Sequence, residues 1–500
     1  MSLWGKKSSK RQNAPTIRST IVHFVLCNEH ILTVMTVEKV AVKPSPGPIT
    51  KVASRSQTQS TSISRSVNAA TPELELKPRK LANPRKRSPA IQRVESDSDD
   101  DGDDDSSTSY DFTHKKAKTV LEGATDNCRQ LRSLHAFTDT DKDLLIHAAD
   151  IASMTKRFTP AFGVTKEDVF AELQYPGAAQ RERYELVLKK GDFNPIEEII
   201  GVVNDVSDFF LPPTQIEAFR NVDTGLVRRL ERAKNVSSMD GFRAALGKYN
   251  TVLDHLRQDG SLVAHINKQH NLPLKLINRI MRQTYDRAVS PKVDLLRKYE
   301  NGTDFIYGEL KTIFVYNILV ETQIRSDQVF VDLGSGVANV VLQAALQIGC
   351  ESWGGEIMEN ACTLAEAQRV EFEARCRMWG IEPGAVKLER GDFMDNTNIR
   401  SALKRADVVL VNNEVFTPAL NNDLINLFLD LKDGCRIVSL KSFVPHNHKI
   451  TSYNLNNPVN LLDVEQKAYS SKSVSWKDEG GYYFIATKDS KRLRSYDHLS

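Results

Sequence analysis

From residue 329 onward the chain repeats one unit: a short apolar run, a polar or glycine turn, then a helical stretch. The apolar runs are Val329–Leu333, Ser352–Ile357, Val386–Glu389, Asp407–Val411 and Arg436–Leu440. Between them, Val340–Ile348, Ala361–Trp379 and Leu420–Leu431 read as helices, with Leu364, Ala365, Phe372 and Met378 as core positions of the second. Val464–Lys467 and Tyr482–Ala486 look like a closing hairpin. Strands alternating with helices predict an α/β fold with an open, doubly wound, mainly parallel sheet. Ligands in such sheets bind at the carboxyl ends of the strands, so the residues just after each strand carry the functional information.

Upstream the sequence has a different character. The formal net charge of +3 hides strong segregation: residues 1–94 hold 17 Lys+Arg against 4 Asp+Glu. Residues 95–111 then hold 9 acids and no base. The reading is a disordered basic arm over 1–126, rich in Ser, Thr, Pro, Lys and Arg, that contains an acidic block at 95–111. Lys77–Lys80 and Pro84–Arg87 suit a polyanion or nuclear import, and equally a solvated tail. Residues 127–300 form a lobe of mixed, then mainly helical sequence, with turns at Tyr175-Pro176-Gly177 and Asn194-Pro195. Helical spacing is expected over 205–300, with Phe219, Val222, Leu226, Leu230, Phe242, Leu246, Leu253, Leu256 and Ile266 inward and Pro273 as a break. A separate α/β domain is assigned to 301–489, and a basic tail to 490–500. Around it Lys488, Lys491, Arg492 and Arg494 are candidate polyanion contacts.

Several classes are disfavoured. No run of about 18 apolar residues suits a transmembrane helix. Ile21–Val42 is apolar but interrupted by His23, Asn28, Glu29, His30 and Glu38, and no small-residue cleavage site follows it, so a secretory leader is not expected. The six cysteines form no CxxC pair and no zinc spacing, so no metal site is expected and reduced thiols are.

After the first strand come Asp332-Leu333-Gly334-Ser335-Gly336, whose glycines allow a sharp turn and close approach to a ligand at a helix N-terminus. Alone this fits many nucleotide proteins, or a plain strand–helix turn. Glu356 ends the second strand, 20 residues beyond Gly336, where a carboxylate can accept from ribose hydroxyls of NAD or of S-adenosylmethionine (SAM). After the third strand, Asp392-Phe393 can take an adenine amino group and its ring face, or serve as a helix cap and a core residue. After the fourth, Asn412-Asn413 opens a loop where a SAM enzyme faces its methyl acceptor. There is no Asn-Pro-Pro-Tyr, which argues against amide or nucleobase methylation. All four features in order favour SAM.

The run Val331–Val341 (VDLGSGVANVV) closely resembles the signature of the disruptor-of-telomeric-silencing histone methyltransferases. Tyr307–Leu310, Glu356, Gly391–Phe393, Val411–Asn413, Ser439–Phe443, Ser473–Trp476 and Tyr482-Tyr483 match in order. Leu173–Ala178 and Phe193–Ile196 resemble fungal members, so the likeness spans about 173–487. The resemblance implies transfer of methyl groups from SAM to lysine 79 of histone H3 in nucleosomes, in the nucleus, with roles in silencing and the DNA damage checkpoint. It implies DNA contact through the basic arm, further contacts with ubiquitylated histone H2B and the H4 tail, and no membrane. On the same grounds Tyr307, Gly308, Glu309 and Leu310 form a loop over SAM. Phe330, Val331, Asp332, Leu333, Gly334, Ser335, Gly336, Val337, Ala338 and Asn339 cradle its methionine end. Glu356 holds the ribose, and Asp392 with Phe393 the adenine. Asn412 and Tyr482 line the channel where lysine meets the methyl group and are the candidate catalytic residues; Phe416 and Phe443 look like its walls. Tyr299-Glu300 matches a pair near the cofactor.

Two positions depart from the family. Ala338 replaces a usual Gly, tolerable where the backbone needs no positive φ. Glu414 stands where Phe is usual, and either points outward or attracts the lysine cation. Methyl transfer needs a neutral amine from a lysine whose free pKa is ~10.4, and no dedicated general base is evident. Methylation of another protein or a small molecule, and a catalytically dead chromatin-binding module, are the rival readings.

Overall fold

The computed structural model describes residues 126–137, 145–163, 169–297 and 308–499. They all lie in one compact unit, Asp100–Ser500; the other unit, Met1–Asp99, contains none of them. The expectations for the basic arm, the acidic block, Tyr299-Glu300 and Tyr307 fall outside the described residues.

The N-terminal part begins with α1 (Ala148–Ile151) and two small antiparallel pairs. β1 (Thr159–Pro160) pairs with β4 (Val187–Leu188), and β2 (Phe170–Leu173) with β3 (Glu182–Glu185). Six helices follow: α2 (Pro195–Phe209), α3 (Pro213–Arg220), α4 (Leu226–Asn235), α5 (Met239–Gln258), α6 (Ser261–Ile266) and α7 (Leu274–Ala288). Helix begins at 195 and not at 205. Asn194-Pro195 is a helix start: the Asn194 side chain accepts from the amides of Ile196 and Glu197 at 3.1 and 3.3 Å, and proline fits the first helical position. Pro273 caps the start of α7. Of the expected inward positions, Val222 is a miss. It is 80% exposed, because α3 has already ended at Arg220.

The C-terminal part opens with α8 (Thr312–Glu321). The alternation then runs β5 (Val329–Leu333), α9 (Asn339–Ile348), β6 (Glu351–Glu356), α10 (Glu359–Trp379), β7 (Val386–Arg390), α11 (Thr397–Arg405) and β8 (Val408–Val411). α12 (Pro418–Leu427), β9 (Arg436–Ser439) and the hairpin β10 (Leu462–Tyr469) and β11 (Gly481–Lys488) complete it. The seven strands form one sheet in the order β10-β11-β9-β8-β5-β6-β7. The five strands from β9 to β7 are parallel, and β11 is antiparallel to both neighbours. All five residues of β5 and all four of β8 are buried, as continuous apolar runs at the centre of a parallel sheet should be. The chain leaves β5 for β6 on one side and later returns to β8 on the other, which opens a crevice at their carboxyl ends.

The two parts join through a buried ionic cluster. Arg287 of α7 reaches Glu182 at 2.7 Å and Glu198 at 2.6 Å, while Arg375 of α10 reaches Glu182 at 2.6 Å and Glu371 at 2.7 Å. The Tyr184 hydroxyl joins Glu182 and Glu198. Burial opposes ionisation of Glu182, but the two guanidiniums overcome it and hold the carboxyl well below its ordinary range. Lys488 is also buried. Its ammonium donates to the carbonyls of Leu429 and Leu431, so it is no candidate for polyanion contact. Lys491 and Arg494 are exposed. Among the described residues, no helix is long and apolar enough to cross a membrane.

Candidate functional site

The turn after β5 is built for close approach. Gly334 and Gly336 have φ of +88° and +56°, a region L-residues avoid. The amides of Gly334 and Ser335 donate to the carbonyl of Gly355 at 2.9 and 3.0 Å, tying the turn to the end of β6. The amide of Gly336 donates to one oxygen of Glu356 at 2.8 Å, and the amide of Met358 donates to the other at 2.7 Å. The Glu356 carboxylate is thereby fixed, with lone pairs left for a ligand. Ala338 closes the turn at φ +70°, so the condition under which alanine would be tolerated without strain, a backbone that needs no positive φ, is not met.

A cavity of about 280 Å³ opens over this turn. Asp332 lines it, is 2% exposed, and has one carboxylate oxygen without a hydrogen-bond partner. Burial first, and the nearby Glu356 second, push its pKa up to about 8. A buried acid in that state is poised to ionise against a cation. Asn412, after β8, also lines the cavity; its Nδ2 donates to the carbonyl of Gly308 at 3.3 Å, and its Oδ1 is buried without a partner. Asn413 is fully engaged: its Oδ1 accepts from the amides of Leu440 and Lys441, and its Nδ2 donates to Asn421 and to the Lys441 carbonyl. It fixes the β8 loop to the end of β9 and leaves Asn412 to face the cavity.

The roof is a strand-like segment at 308–311. Leu310 bridges to Val474, the amide of Ser475 donates to the carbonyl of Glu309 at 2.9 Å, and the amide of Lys311 donates to the carbonyl of Ser473 at 2.9 Å. Gly308 passes so close to Trp476 that a Cβ there would lie 2.7 Å from the indole ring. The hydroxyl of Tyr285, on α7, hydrogen-bonds Glu309; burial and that carboxylate both raise its pKa.

Of the sequence candidates, Gly308, Glu309, Leu310, Asp332, Gly334, Ser335, Gly336, Asn339, Glu356, Phe393, Asn412 and Phe416 line one cavity. Phe330, Val331 and Leu333 are buried within β5, and Val337 and Ala338 are buried in the core beneath the turn. Asp392 is exposed and outside the lining; its Oδ1 accepts from the amide of Met394 at 2.8 Å, so it neither faces the cavity nor caps α11, which Asn396 does. Tyr482 is 62% exposed and outside the lining, because the alternation along β11 turns Tyr483 inward. Phe443 lies outside the lining, buried edge-on against Phe428, 4.9 Å between centroids. Trp476, Met358, Asn360 and Ala361 line the cavity and were not singled out as site residues. For Trp476 the signal was present, since it closes a matching motif; Met358, the residue before α10, and Asn360 and Ala361 in its first turn carry none.

A parallel sheet in this order, an acid ending each of its first two central strands and a cavity between them define a SAM-dependent methyltransferase. The acids suit the cofactor: among the described residues no Lys or Arg lines the cavity, and Asp332 is an orphaned buried acceptor for a cationic group. The model of the family described as histone methylation protein DOT1 matches residues 285–488. A relative from Aspergillus fumigatus is 51% identical over 418 residues, covering 82% of each chain. One from Emericella nidulans is 52% identical over 388 residues, 76% of this chain and 77% of its own. One from Yarrowia lipolytica is 39% identical over 319 residues, 63% of this chain and 65% of its own. All three are named histone-lysine N-methyltransferase, H3 lysine-79 specific. This chain belongs to that family.

Proposed function

We infer that the protein transfers methyl groups from SAM to lysine 79 of histone H3 in nucleosomes, and so works in the nucleus. Membership of the family supports the reading, and one observation carries it to this chain: the unpartnered, buried Asp332 beside the clamped Glu356. SAM supplies the activated methyl group. Asp332 takes the cofactor's ammonium, Glu356 its ribose hydroxyls, and Phe393 packs on the purine, with Asp392 at the rim beside it. Asn412 offers its free Oδ1 to the substrate amine. Leu410, Phe416 and Trp476 make that end of the cavity apolar, which favours the neutral amine that attack requires. The chain's contribution is orientation and exclusion of water. Tyr482 is assigned to the outer channel, where substrate would cover it.

The basic residues of 1–94 supply salt-dependent affinity for nucleosomal DNA, by neutralising phosphates. Ubiquitylated H2B and the H4 tail are further contacts suggested by the family resemblance. The test is a methyl-transfer assay on nucleosomes against free H3, with the modified lysine located by mass spectrometry. Methylation of lysine 79 on nucleosomes is expected. Transfer to another residue, or none with SAM bound, refutes the reading.

A further inference from the structure

The charge of the cavity is one-sided. Among the described residues its charged lining side chains are Glu309, Asp332, Glu356 and Glu414, all acids. A SAM molecule carries a sulfonium, an ammonium and a carboxylate, a net single positive charge, so four carboxylates exceed what the cofactor can engage. Three of them have assignments from the geometry. Asp332 is buried at the end of β5, Glu356 is clamped by two backbone amides, and Glu309 is hydrogen-bonded by Tyr285 in the roof. Glu414 differs. It is half-buried, two residues beyond Asn412, and lines the cavity together with Phe416 and the exposed side chains of Val415 and Trp476.

Two lysines lie near Glu414, and both have other ties. Lys441 donates to the backbone carbonyl of Glu414, which fixes the loop and leaves the carboxylate alone. Lys477 feels the charge of Glu414, yet its ammonium hydrogen-bonds the Tyr469 hydroxyl and lies 5.3 Å from the centroid of that ring. A half-exposed carboxylate lining the same cavity as the orphaned Oδ1 of Asn412 is a receptor for a primary ammonium on a long aliphatic stem.

We propose that Glu414 is the docking group for the substrate lysine, receiving its ε-ammonium at the mouth before Asn412 takes the amine inside. This rests on the lysine methyltransferase reading. Glu414 is a positioning residue here, because a carboxylate favours the charged amine and cannot by itself promote attack. Its effect belongs to capture of the substrate and not to the chemical step.

The experiment measures steady-state kinetics of the full chain on nucleosomes for wild type, Glu414→Gln and Glu414→Asp, with SAM affinity by calorimetry. For Glu414→Gln, KM for nucleosomes should rise about tenfold, as loss of one charged hydrogen bond implies. Its kcat should change less than about threefold, SAM affinity should hold, and Glu414→Asp should recover much of the loss. An unchanged nucleosome KM in Glu414→Gln, or equal losses in SAM affinity and KM, overturns the docking role. If wild type binds SAM but methylates no histone lysine, the functional reading fails and the docking role with it.

Discussion

Two buried carboxylates of this molecule, Glu182 and Asp332, have opposite fates. Glu182 is fully buried and accepts from Arg287 and Arg375, so its carboxyl is held well below the usual range. Asp332 is 2% exposed with an unpaired oxygen, and its pKa is pushed up to about 8. The same chemical group serves cohesion where the fold supplies the cations and binding where it withholds them. The ionic cluster is complete within the chain, whereas the cleft is completed by its ligand.

The largest expected effect breaks the complete region. Arg287→Ala leaves Glu182 buried with Arg375 as its remaining ion-pair partner and removes the ion pair of Glu198, and loss of one partner of a buried pair costs about 3–5 kcal/mol. Urea unfolding should show that loss, and a shift below ~1 kcal/mol would mean water or rearrangement compensates. The sign in pH follows: Glu182, with a depressed pKa, contributes stability at neutral pH that is lost as pH falls through its folded value.

Asp332→Asn should do the reverse. Asn matches the protonated acid in shape, so stability without cofactor should stay the same or rise. SAM affinity should fall about 100-fold, because a buried charge-assisted contact is lost. Asp332, with a raised pKa, destabilises the free fold increasingly as pH climbs from about 4 to about 8. A cationic ligand that ionises it releases a proton, so SAM affinity should increase from pH 6 to 8. Calorimetry in buffers of different ionisation enthalpy reads that proton. Its persistence in Asp332→Asn would move the effect to another group.

The two regions were unequally legible in the sequence. The cleft could be read because each strand end is local: β5 is a five-residue apolar run ending in an acid and a glycine turn, and sequence order supplies the rest. The ionic cluster could not, since Glu182 and Arg375 are 193 residues apart and a charged side chain ordinarily reads as solvated. Side-chain direction was the weak point. Tyr482 and Tyr483 are adjacent in one strand, and only the pleat decides which faces in. Lys488 ends the same strand and is buried by carbonyls of Leu429 and Leu431, which no local pattern reveals.

A smaller effect sharpens the cleft side of the comparison. Gly308→Ala puts a methyl group 2.7 Å from Trp476, so the roof or the indole must move. Stability should change little, as the segment lies at the rim. SAM affinity should weaken about tenfold, ~1.4 kcal/mol. Unchanged affinity in calorimetry would show that the roof adjusts freely.

The smallest effect concerns the residue that departs from the family pattern inside the turn. Ala338 holds φ +70°, a conformation that costs an L-residue roughly 1–2 kcal/mol relative to glycine. Its methyl group is fully buried in the core, and burial of one such group contributes about 0.8 kcal/mol. Glycine would also loosen the unfolded chain, at about 0.4–1 kcal/mol. The terms nearly cancel, so Ala338→Gly should leave the unfolding free energy measured in urea within about 0.5 kcal/mol of wild type and SAM affinity unaltered. Ala338→Val adds a branched side chain at the same φ and should destabilise by about 1–3 kcal/mol, since β-branched residues are genuine outliers there and the buried site has no room for the added methyl groups. If the glycine variant gained 2 kcal/mol, the turn would be a strained element that the core fails to offset, and the cleft would be less preorganised than its hydrogen bonds indicate.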